Sequence, residues 1–161
     1  MNITIRLMEA KDIEQIQHIA KTAWHATYEG IIPQSIQDKF LAVAYNVERL
    51  FQRMQQSIVY VAEIEDTVSG FANYSPIDES GTSELAAIYL LPSSQGKGVG
   101  TALLQRAIQD FSNLKEIHLT VERDNSIGMN FYVAKGFKIV EEFEEDFEGH
   151  VLQSVRMVLE V

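Results

Sequence analysis

The sequence predicts a mixed α/β fold in which a mostly antiparallel sheet is flanked by helices. Short apolar segments typical of strands are interspersed with segments whose apolar residues recur at helical spacing, in the order β-α-α-α-β-β-β-α-β-α-β-β. A strand, a glycine-rich loop and a helix also follow one another without a break in residues 85–111. No repeat, linker or low-complexity tract divides residues 1–161, so we expect a single domain.

The first third of the chain is predicted to form one strand followed by three helices. Residues 3–7 alternate between apolar and polar types, as in a half-buried strand. Asp12 is the expected N-cap of the first helix, and Asn46 that of the third. Pro33 is expected to open the second helix, because the first helical position tolerates proline.

The remainder of the chain supplies six more strands and two more helices. The first two of these strands are expected to pair as a hairpin around residues 65–66. Gly136 is expected to end the last helix. The acidic run at residues 141–148, EEFEEDFE, is expected to join the two closing strands. The strands are predicted at residues 58–64, 68–74, 85–91, 117–121, 137–143 and 151–159.

The most informative stretch is LLPSSQGKGVGT at residues 90–101. Pro92 ends the preceding strand, and three glycines then alternate with other residues before the helical pattern begins. Glycines let the backbone approach a ligand closely, and a helix N-terminus offers unpaired N–H groups and a positive dipole end. This combination suits a pyrophosphate group. The alternative is a tight turn that uses glycine only for its backbone conformation.

Two common phosphate-binding motifs do not match this loop. A P-loop would need Lys97 to follow its second glycine and precede Ser or Thr, but Gly98 follows it, and Leu91 stands where the first glycine belongs. A dinucleotide fingerprint would need a glycine at Thr101, and only Glu116 is available as its acidic residue. A nicotinamide-binding domain is therefore disfavoured.

The remaining pattern, Gln95-x-x-Gly98-x-Gly100, resembles the pyrophosphate loop of the GNAT superfamily of acyl-CoA-dependent N-acetyltransferases. A second block, NSIGMNFYVAKGF at residues 125–137, is similar to the family's Asn-x-x-Ala-x-x-Phe-Tyr-x-x-x-Gly-Phe. Gly128 replaces the usual alanine, which we expect to loosen that helix without touching the chemistry. The resemblance implies the GNAT (acyl-CoA N-acyltransferase) fold and acetyl-CoA as the co-substrate.

The resemblance also implies which residues bind the donor. The strand end from Ile88 to Leu90 would pair with the pantetheine arm, and the Leu90 N–H would polarise the thioester carbonyl. Asn125 would contact the pantetheine arm or the phosphates, and Tyr132 is expected at the same site. The pyrophosphate would be held by the loop residues Gln95, Gly96, Lys97, Gly98, Val99, Gly100 and Thr101.

Tyr132 is the candidate general acid. The ordinary pKa of tyrosine, about 10, exceeds the value of about 8.5 for a thiol, so its hydroxyl stays protonated at neutral pH and can donate to the departing thiolate. The alternative is that Phe131 and Tyr132 only form a helix face packed against the sheet.

Glu84 is the candidate general base. It lies two residues before Ala86, where many family members carry an acidic residue, and the two positions share one face of a strand. A strand-edge carboxylate without a catalytic role is the alternative. The family shapes its acceptor pocket with the first helices, which implies Trp24, Tyr28 and Glu29 as acceptor-binding residues. Core packing of Trp24 with solvated neighbours is the alternative there.

Composition disfavours several classes of partner. The net charge of −10, from 23 acidic and 13 basic residues, disfavours nucleic acid, because Lys and Arg hold its phosphates. No apolar run approaches the roughly 20 residues that span a bilayer, and no signal peptide is visible, so we expect no membrane association and a cytoplasmic location. The sequence has no cysteine, and His25 and Glu29 lack the rest of an H-E-x-x-H motif, so no metal is expected.

The sequence thus favours an enzyme that moves the acetyl group of acetyl-CoA to a primary amine by direct attack in a ternary complex. In this fold the acidic run at residues 141–148 would lie near the acceptor entrance, so we expect a cationic small molecule such as a polyamine; a hairpin whose charges only aid solubility is the alternative. A catalytically silent acetyl-CoA-binding regulatory module and a protein N-acetyltransferase are alternative functions. The family also makes a homodimer through the closing strands plausible.

Overall fold

The computed structural model describes residues 2–161, and its centre is a seven-stranded sheet with strand order β1-β2-β3-β4-β5-β7-β6. All neighbouring strands are antiparallel except β4 and β5, which run parallel. The predicted mixed, mostly antiparallel sheet is therefore confirmed. The strands are β1 Ile3–Leu7, β2 Ile58–Ile64, β3 Thr67–Tyr74, β4 Thr82–Leu90, β5 Glu116–Glu122, β6 Lys138–Phe147 and β7 His150–Glu160.

Helices cover both faces of this sheet. They are α1 Ile13–Tyr28, α2 Gln34–Ala44, α3 Val47–Gln56, α4 Val99–Asp110 and α5 Ser126–Ala134. The first three pack on one face, where Ile16, Ile19 and Phe71 are buried. Helices α4 and α5 pack on the other face, around Leu103 and Ile117. The sheet is thus the middle layer between two hydrophobic cores.

The parallel strands β4 and β5 separate soon after they begin to pair. Backbone pairing joins residues 82–84 to residues 116–118, and beyond Glu84 no strand of residues 2–161 pairs with this edge of β4. On its other edge β4 stays paired with β3 as far as Leu90. The two strands therefore open into a V-shaped gap. The start of β4 was not predicted as strand because Thr-Ser-Glu lacks apolar residues. Pairing with β5 and hydrogen bonds to Ser75 and Asp78 order it.

The three predicted helix starts are confirmed to within one residue. Helix α2 begins directly after Pro33, and Asn46 caps α3 by accepting a first-turn N–H at 2.8 Å. Asp12 is the N-cap residue of α1, as predicted, but its side chain does not cap the helix. Its carboxylate accepts the N–H of Glu9 at 2.8 Å and binds the Arg6 guanidinium at 2.8 and 2.9 Å. A short turn of 3-10 helix precedes α1, so Asp12 already has helical backbone and its carboxylate serves that turn and makes no capping hydrogen bond to α1.

The acidic run at residues 141–148 was expected to connect the two closing strands, but it is not a loop. All but its last residue belong to β6, and the turn to β7 consists of Glu148 and Gly149, with φ of 52° and 84°. The strand was predicted only as far as residue 143, because β6 is an edge strand whose side chains are mostly exposed and its second half needs no apolar alternation. The β2–β3 hairpin turns at residues 65–66, as predicted.

Candidate active site

A cleft of about 450 Å³ lies in the gap between β4 and β5. One side consists of β4, the glycine loop and the start of α4, here called the β4–α4 wall. The other consists of the end of β5, the loop after it and α5, here called the β5–α5 wall. Every residue predicted to bind the donor lines this cleft except Lys97, which is exposed outside it.

The β4–α4 wall presents backbone groups to the cleft. Leu91 donates its N–H to the Ser69 carbonyl of β3 at 2.9 Å. Since successive amides of an extended strand point to opposite edges, the Leu90 N–H faces the cleft. Gly96 and Gly98 have φ of 74° and 82°, and a Cβ atom added at either would meet no atom within 4 Å. The loop therefore borders open space that a ligand can approach closely.

Helix α4 begins at this loop with unsatisfied amides. Its N-cap is Gly98, which has no side chain to accept the first-turn N–H groups. The amides of Val99, Gly100 and Thr101 therefore remain available at the positive end of the helix dipole. The strand edge can pair with an amide-bearing arm, and the adjacent helix N-terminus can bind a diphosphate. Coenzyme A has both groups, so this wall fits it.

The β5–α5 wall presents side chains. Asn125 caps α5, since its Oδ1 accepts the Gly128 N–H at 3.0 Å. A Cβ atom at Gly128 would lie 2.7 Å from the Asn125 Nδ2, so an alanine here would displace the Asn125 side chain. Our expectation that Gly128 touches no functional group therefore needs correction, because this glycine supports a residue that lines the cleft.

Tyr132 belongs both to the core and to the cleft. Its ring centroid lies 5.6 Å from that of Phe131 and 5.5 Å from that of Phe137, and the side chain also lines the cleft. Burial raises the pKa of Tyr132 above the ordinary value of 10.0. Its hydroxyl therefore keeps its proton at neutral pH, and the aromatic neighbours hold the ring in one position.

Of the three predicted acceptor residues, only Tyr28 reaches the cleft. Burial, helped by the negative charge of Glu122, raises the pKa of Tyr28 to about 12. Trp24 is 6% exposed and packs between Tyr28 and Phe40, at centroid distances of 4.6 and 4.5 Å, so it is a core residue. Glu29 borders a separate groove of about 660 Å³ at the α1–α2 loop. That groove is larger but contains neither the glycine loop nor Tyr132, so the smaller cleft is the candidate active site.

Glu84, the predicted base, does not line the cleft. Both oxygens of its carboxylate bind the Arg156 guanidinium, at 2.5 and 2.7 Å, and the guanidinium also contacts the Thr120 Oγ1 at 3.1 Å. The hydrogen bonds and charge of Glu84 raise the pKa of Arg156. Glu84 thus occupies the closed end of the gap in an ion pair, and its role as a base stays a prediction.

The residues at or beside the cleft that sequence reasoning missed include Ala23, Thr27 and Glu122. Ala23 and Thr27 lie one turn apart on α1 and line it. Glu122 is 7% exposed at the end of β5, next to the lining residues. The sequence offered two signals for them. Ala23 and Thr27 are small residues at i and i+4 beside aromatic positions, and Glu122 is an acid shortly before Asn125. Neither is specific enough to predict a site.

Two further features are absent from residues 2–161. No helix is long and apolar enough to cross a membrane. No three side chains of His, Cys, Asp or Glu come together as potential metal ligands.

A strand edge and a helix N-terminus that meet at one glycine loop suit an acyl-CoA, and a neutral phenol on the facing wall can protonate a leaving thiolate. The fold and cleft thus define the class of acyl-CoA-dependent acyltransferases. The family model of the acetyltransferase (GNAT) family matches residues 14–137. The chain belongs to this family of acetyltransferases.

Similar proteins agree with this assignment. Over 155 residues the chain is 30% identical to the spermidine N(1)-acetyltransferase of Thermoplasma acidophilum, covering 91% of this chain and 95% of that protein. The crystal structure of the PaiA N-acetyltransferase from Thermoplasma acidophilum in complex with coenzyme A has a TM-score of 0.87 at 28% identity, with both chains fully covered. The ribosomal-protein-S18-alanine N-acetyltransferase of Escherichia coli shares the fold, with a TM-score of 0.72 at 17% identity over 99% of this chain and 94% of that one.

Proposed function

We propose that this protein is a polyamine N-acetyltransferase in which residues 1–161 act as one domain. It transfers the acetyl group of acetyl-CoA to a primary amine in a ternary complex. The observation that carries the proposal is the 30% identity, over 91% of the chain, to a spermidine N(1)-acetyltransferase. The net charge of −10 supports the same conclusion, because an acidic protein attracts cationic acceptors.

The β4–α4 wall would bind the donor through its backbone. The free edge of β4 would pair with the pantetheine arm, and the first-turn amides of α4 would bind the pyrophosphate. Acetyl-CoA supplies an activated acyl group as a thioester when bound. We assign the Leu90 N–H to the carbonyl oxygen, where a hydrogen-bond donor stabilises the negative charge that develops during attack.

Tyr132 would act as the general acid on the facing wall. Burial raises its pKa, so the hydroxyl is protonated before the reaction. Proton transfer requires contact with the departing sulfur, whose protonated form has an ordinary pKa of about 8.5. Packing against Phe131 and Phe137 would hold the hydroxyl in the position that this transfer needs.

The acceptor must reach the thioester as a neutral amine. An alkylamine with a pKa of about 10.4 is neutral in roughly one molecule per thousand at pH 7.4, which corresponds to about 4 kcal/mol. A polyamine meets this requirement well, because one nitrogen can bind as an ammonium ion while another reacts in the drier cleft. Tyr28 is the proposed acceptor contact. For Glu84, the predicted base, the ion pair with Arg156 outside the cleft supports the alternative of a carboxylate without a catalytic role, and the proton released by the attacking amine passes to solvent.

A panel of acceptors tests the proposed function. Thiol release from acetyl-CoA should be measured with spermidine, spermine, an alkyl monoamine, an amino acid and a peptide with a free N-terminus. We expect kcat/KM for the polyamines to exceed that for the monoamine by about tenfold or more, because a second ammonium adds a charge-assisted contact. A preference for the peptide would instead identify a protein N-acetyltransferase. Acetyl-CoA binding without turnover of any amine would identify a regulatory module.

The proposal includes a cytoplasmic location and a homodimer joined through the closing strands. Strand β6 forms one edge of the sheet, and Ile139, Val140 and Val151 of the closing strands are 49%, 59% and 55% exposed. An exposed apolar edge favours pairing with a second copy. The particle mass from sedimentation equilibrium distinguishes the dimer from the monomer.

A further inference from the structure

Two carboxylates are buried in residues 2–161, and they differ in their partners. Asp12 is 4% exposed and binds the guanidinium of Arg6 through both oxygens. Glu122 is 7% exposed, yet within residues 2–161 no Lys, Arg or His side chain forms an ion pair with it. A charge removed from water is costly unless an opposite charge compensates it. Glu122 is therefore a buried carboxylate that could accept a cationic partner from outside the described chain.

Glu122 lies beside the cleft. It is the last residue of β5, after Thr120 and Val121, which line the cleft, and shortly before Asn125, which also lines it. One carboxylate oxygen accepts the N–H of Asp124, which leaves the other without a hydrogen bond from the described residues. The negative charge acts on the hydroxyl of Tyr28, a cleft residue from the opposite layer of the fold. Thr120 lies two residues earlier on the same face of β5 and lines the cleft, so Glu122 lies at the side of the cleft where α1 meets β5.

A second acid, Glu145, extends the negatively charged surface away from the cleft. Glu122 pairs in register with Ser154 of β7, so the two side chains share one face of the sheet. The Ser154 hydroxyl donates to a carboxylate oxygen of Glu145 on β6 at 3.0 Å. Glu122 and Glu145 are two strands apart, a separation of about 10 Å. A chain that carries several ammonium groups could contact both.

We propose that Glu122 anchors a non-reacting ammonium group of the acceptor, and so selects di- and polyamines over monoamines. The inference rests on the proposed function, because it names a residue that recognises the polyamine. The anchored nitrogen cannot be the nucleophile, since a neighbouring carboxylate stabilises its protonated form. Glu122 is therefore a positioning residue: it holds one end of the acceptor while the neutral end attacks.

The test compares the wild type with Glu122→Gln. Glutamine keeps the side-chain shape and an oxygen that can accept the Asp124 N–H, but removes the charge. We expect the KM for spermidine to rise about 10- to 100-fold, as for loss of a hydrogen bond to a charged group. The kcat for spermidine, the KM for an alkyl monoamine of equal length and the Kd for acetyl-CoA should each stay within about twofold.

Two further variants serve as controls. Glu79→Gln removes the same charge from the exposed turn before β4 and should leave the KM for spermidine unchanged. Glu122→Asp retains the charge on a shorter side chain and should give an intermediate KM, which also supplies a measurement if Glu122→Gln does not fold. An unchanged KM for spermidine in Glu122→Gln would overturn the proposal. An equal rise in KM for the monoamine would also overturn it, because the effect would then be structural.

Failure of the proposed function would be distinguishable from failure of this inference. If the wild type acetylates no polyamine, the proposed function is wrong, and calorimetric titration of spermidine in the presence of coenzyme A then decides the role of Glu122. Binding to the wild type that weakens at least about tenfold in Glu122→Gln would support the anchor. Equal binding to both proteins, or none to the wild type, would overturn it.

Discussion

The two walls of the cleft expose different parts of the chain. The β4–α4 wall offers backbone amides, and the open space beside Gly96 and Gly98 lets a ligand approach them. The β5–α5 wall offers the side chains of Asn125 and Tyr132, with the buried carboxylate of Glu122 beside them. A backbone wall depends on conformation, whereas a side-chain wall depends on residue identity. Donor binding and acceptor chemistry should therefore respond to different kinds of substitution.

The largest effect is expected from Tyr132→Phe on the side-chain wall. The phenyl ring keeps the contacts with Phe131 and Phe137, but the proton donor is lost, so kcat should fall by about 10²–10⁴-fold with little change in acetyl-CoA affinity or melting temperature. Steady-state kinetics measure the kcat, and thermal unfolding measures the melting temperature. In the wild type, the raised pKa of Tyr132 means that deprotonation of this hydroxyl should not lower kcat between about pH 7 and about pH 9. An undiminished kcat in the variant would show that Tyr132 only packs in the core and is not the general acid.

An intermediate effect is expected from Gly98→Ala on the backbone wall, with Gly149→Ala as its matched control. The two glycines have φ of 82° and 84°, and a Cβ atom at either would meet nothing within 4 Å. Both variants should therefore lose about 1–2 kcal/mol of unfolding free energy, because alanine is strained in the left-handed backbone conformation. Only Gly98→Ala should weaken acetyl-CoA binding, by about tenfold or more, because its methyl group borders the diphosphate site.

Calorimetric titration of acetyl-CoA, with melting temperatures measured in parallel, tests this pair of variants. The kcat at saturating acetyl-CoA should change little in Gly98→Ala, since the acid on the opposite wall is intact. If both variants bind acetyl-CoA equally well, the loop does not hold the pyrophosphate, and the assignment of the backbone wall fails.

The smallest effect is expected from Glu84→Gln at the closed end of the gap, where the two walls meet. The side chains of Glu84 and Arg156 are 37% and 27% exposed, so we expect a loss of at most about 1 kcal/mol in unfolding free energy and no loss of kcat. A general base would instead lower kcat by about 10²–10⁴-fold when neutralised. Arg156→Gln and the double variant complete a cycle: non-additive stability losses would identify an ion pair.

The sequence predicted the backbone wall more completely than the side-chain wall. The glycine loop and the start of α4 depend on residues close together in the chain, and all of them that the motif named line the cleft, apart from Lys97. Lys97 was predicted to help hold the pyrophosphate, but its exposed side chain is directed away from the cleft. A pattern of residue types does not encode that direction.

Errors on the acceptor side arose from contacts between distant segments. Trp24 and Tyr28 lie one turn apart on α1, yet the packing of Phe40 buries the first while the second reaches the cleft. The acidic run appeared to be a loop because an exposed edge strand carries no apolar alternation. Whether a strand is central or at the edge depends on the whole sheet, so a local pattern could not reveal it.

The sequence by itself determined the order of strands and helices and the strand–loop–helix unit at Gly98, because periodicity, capping and glycine conformation act over a few neighbouring residues. The resemblance to the family implied that Tyr132 belongs to the same site. Only the tertiary structure decided where β4 and β5 part, that Glu84 is paired with Arg156, and that Glu122 is buried without a cationic partner. The physical reason is that burial and charge pairing depend on residues far apart in the chain, which come together only when the sheet and its two helical layers pack.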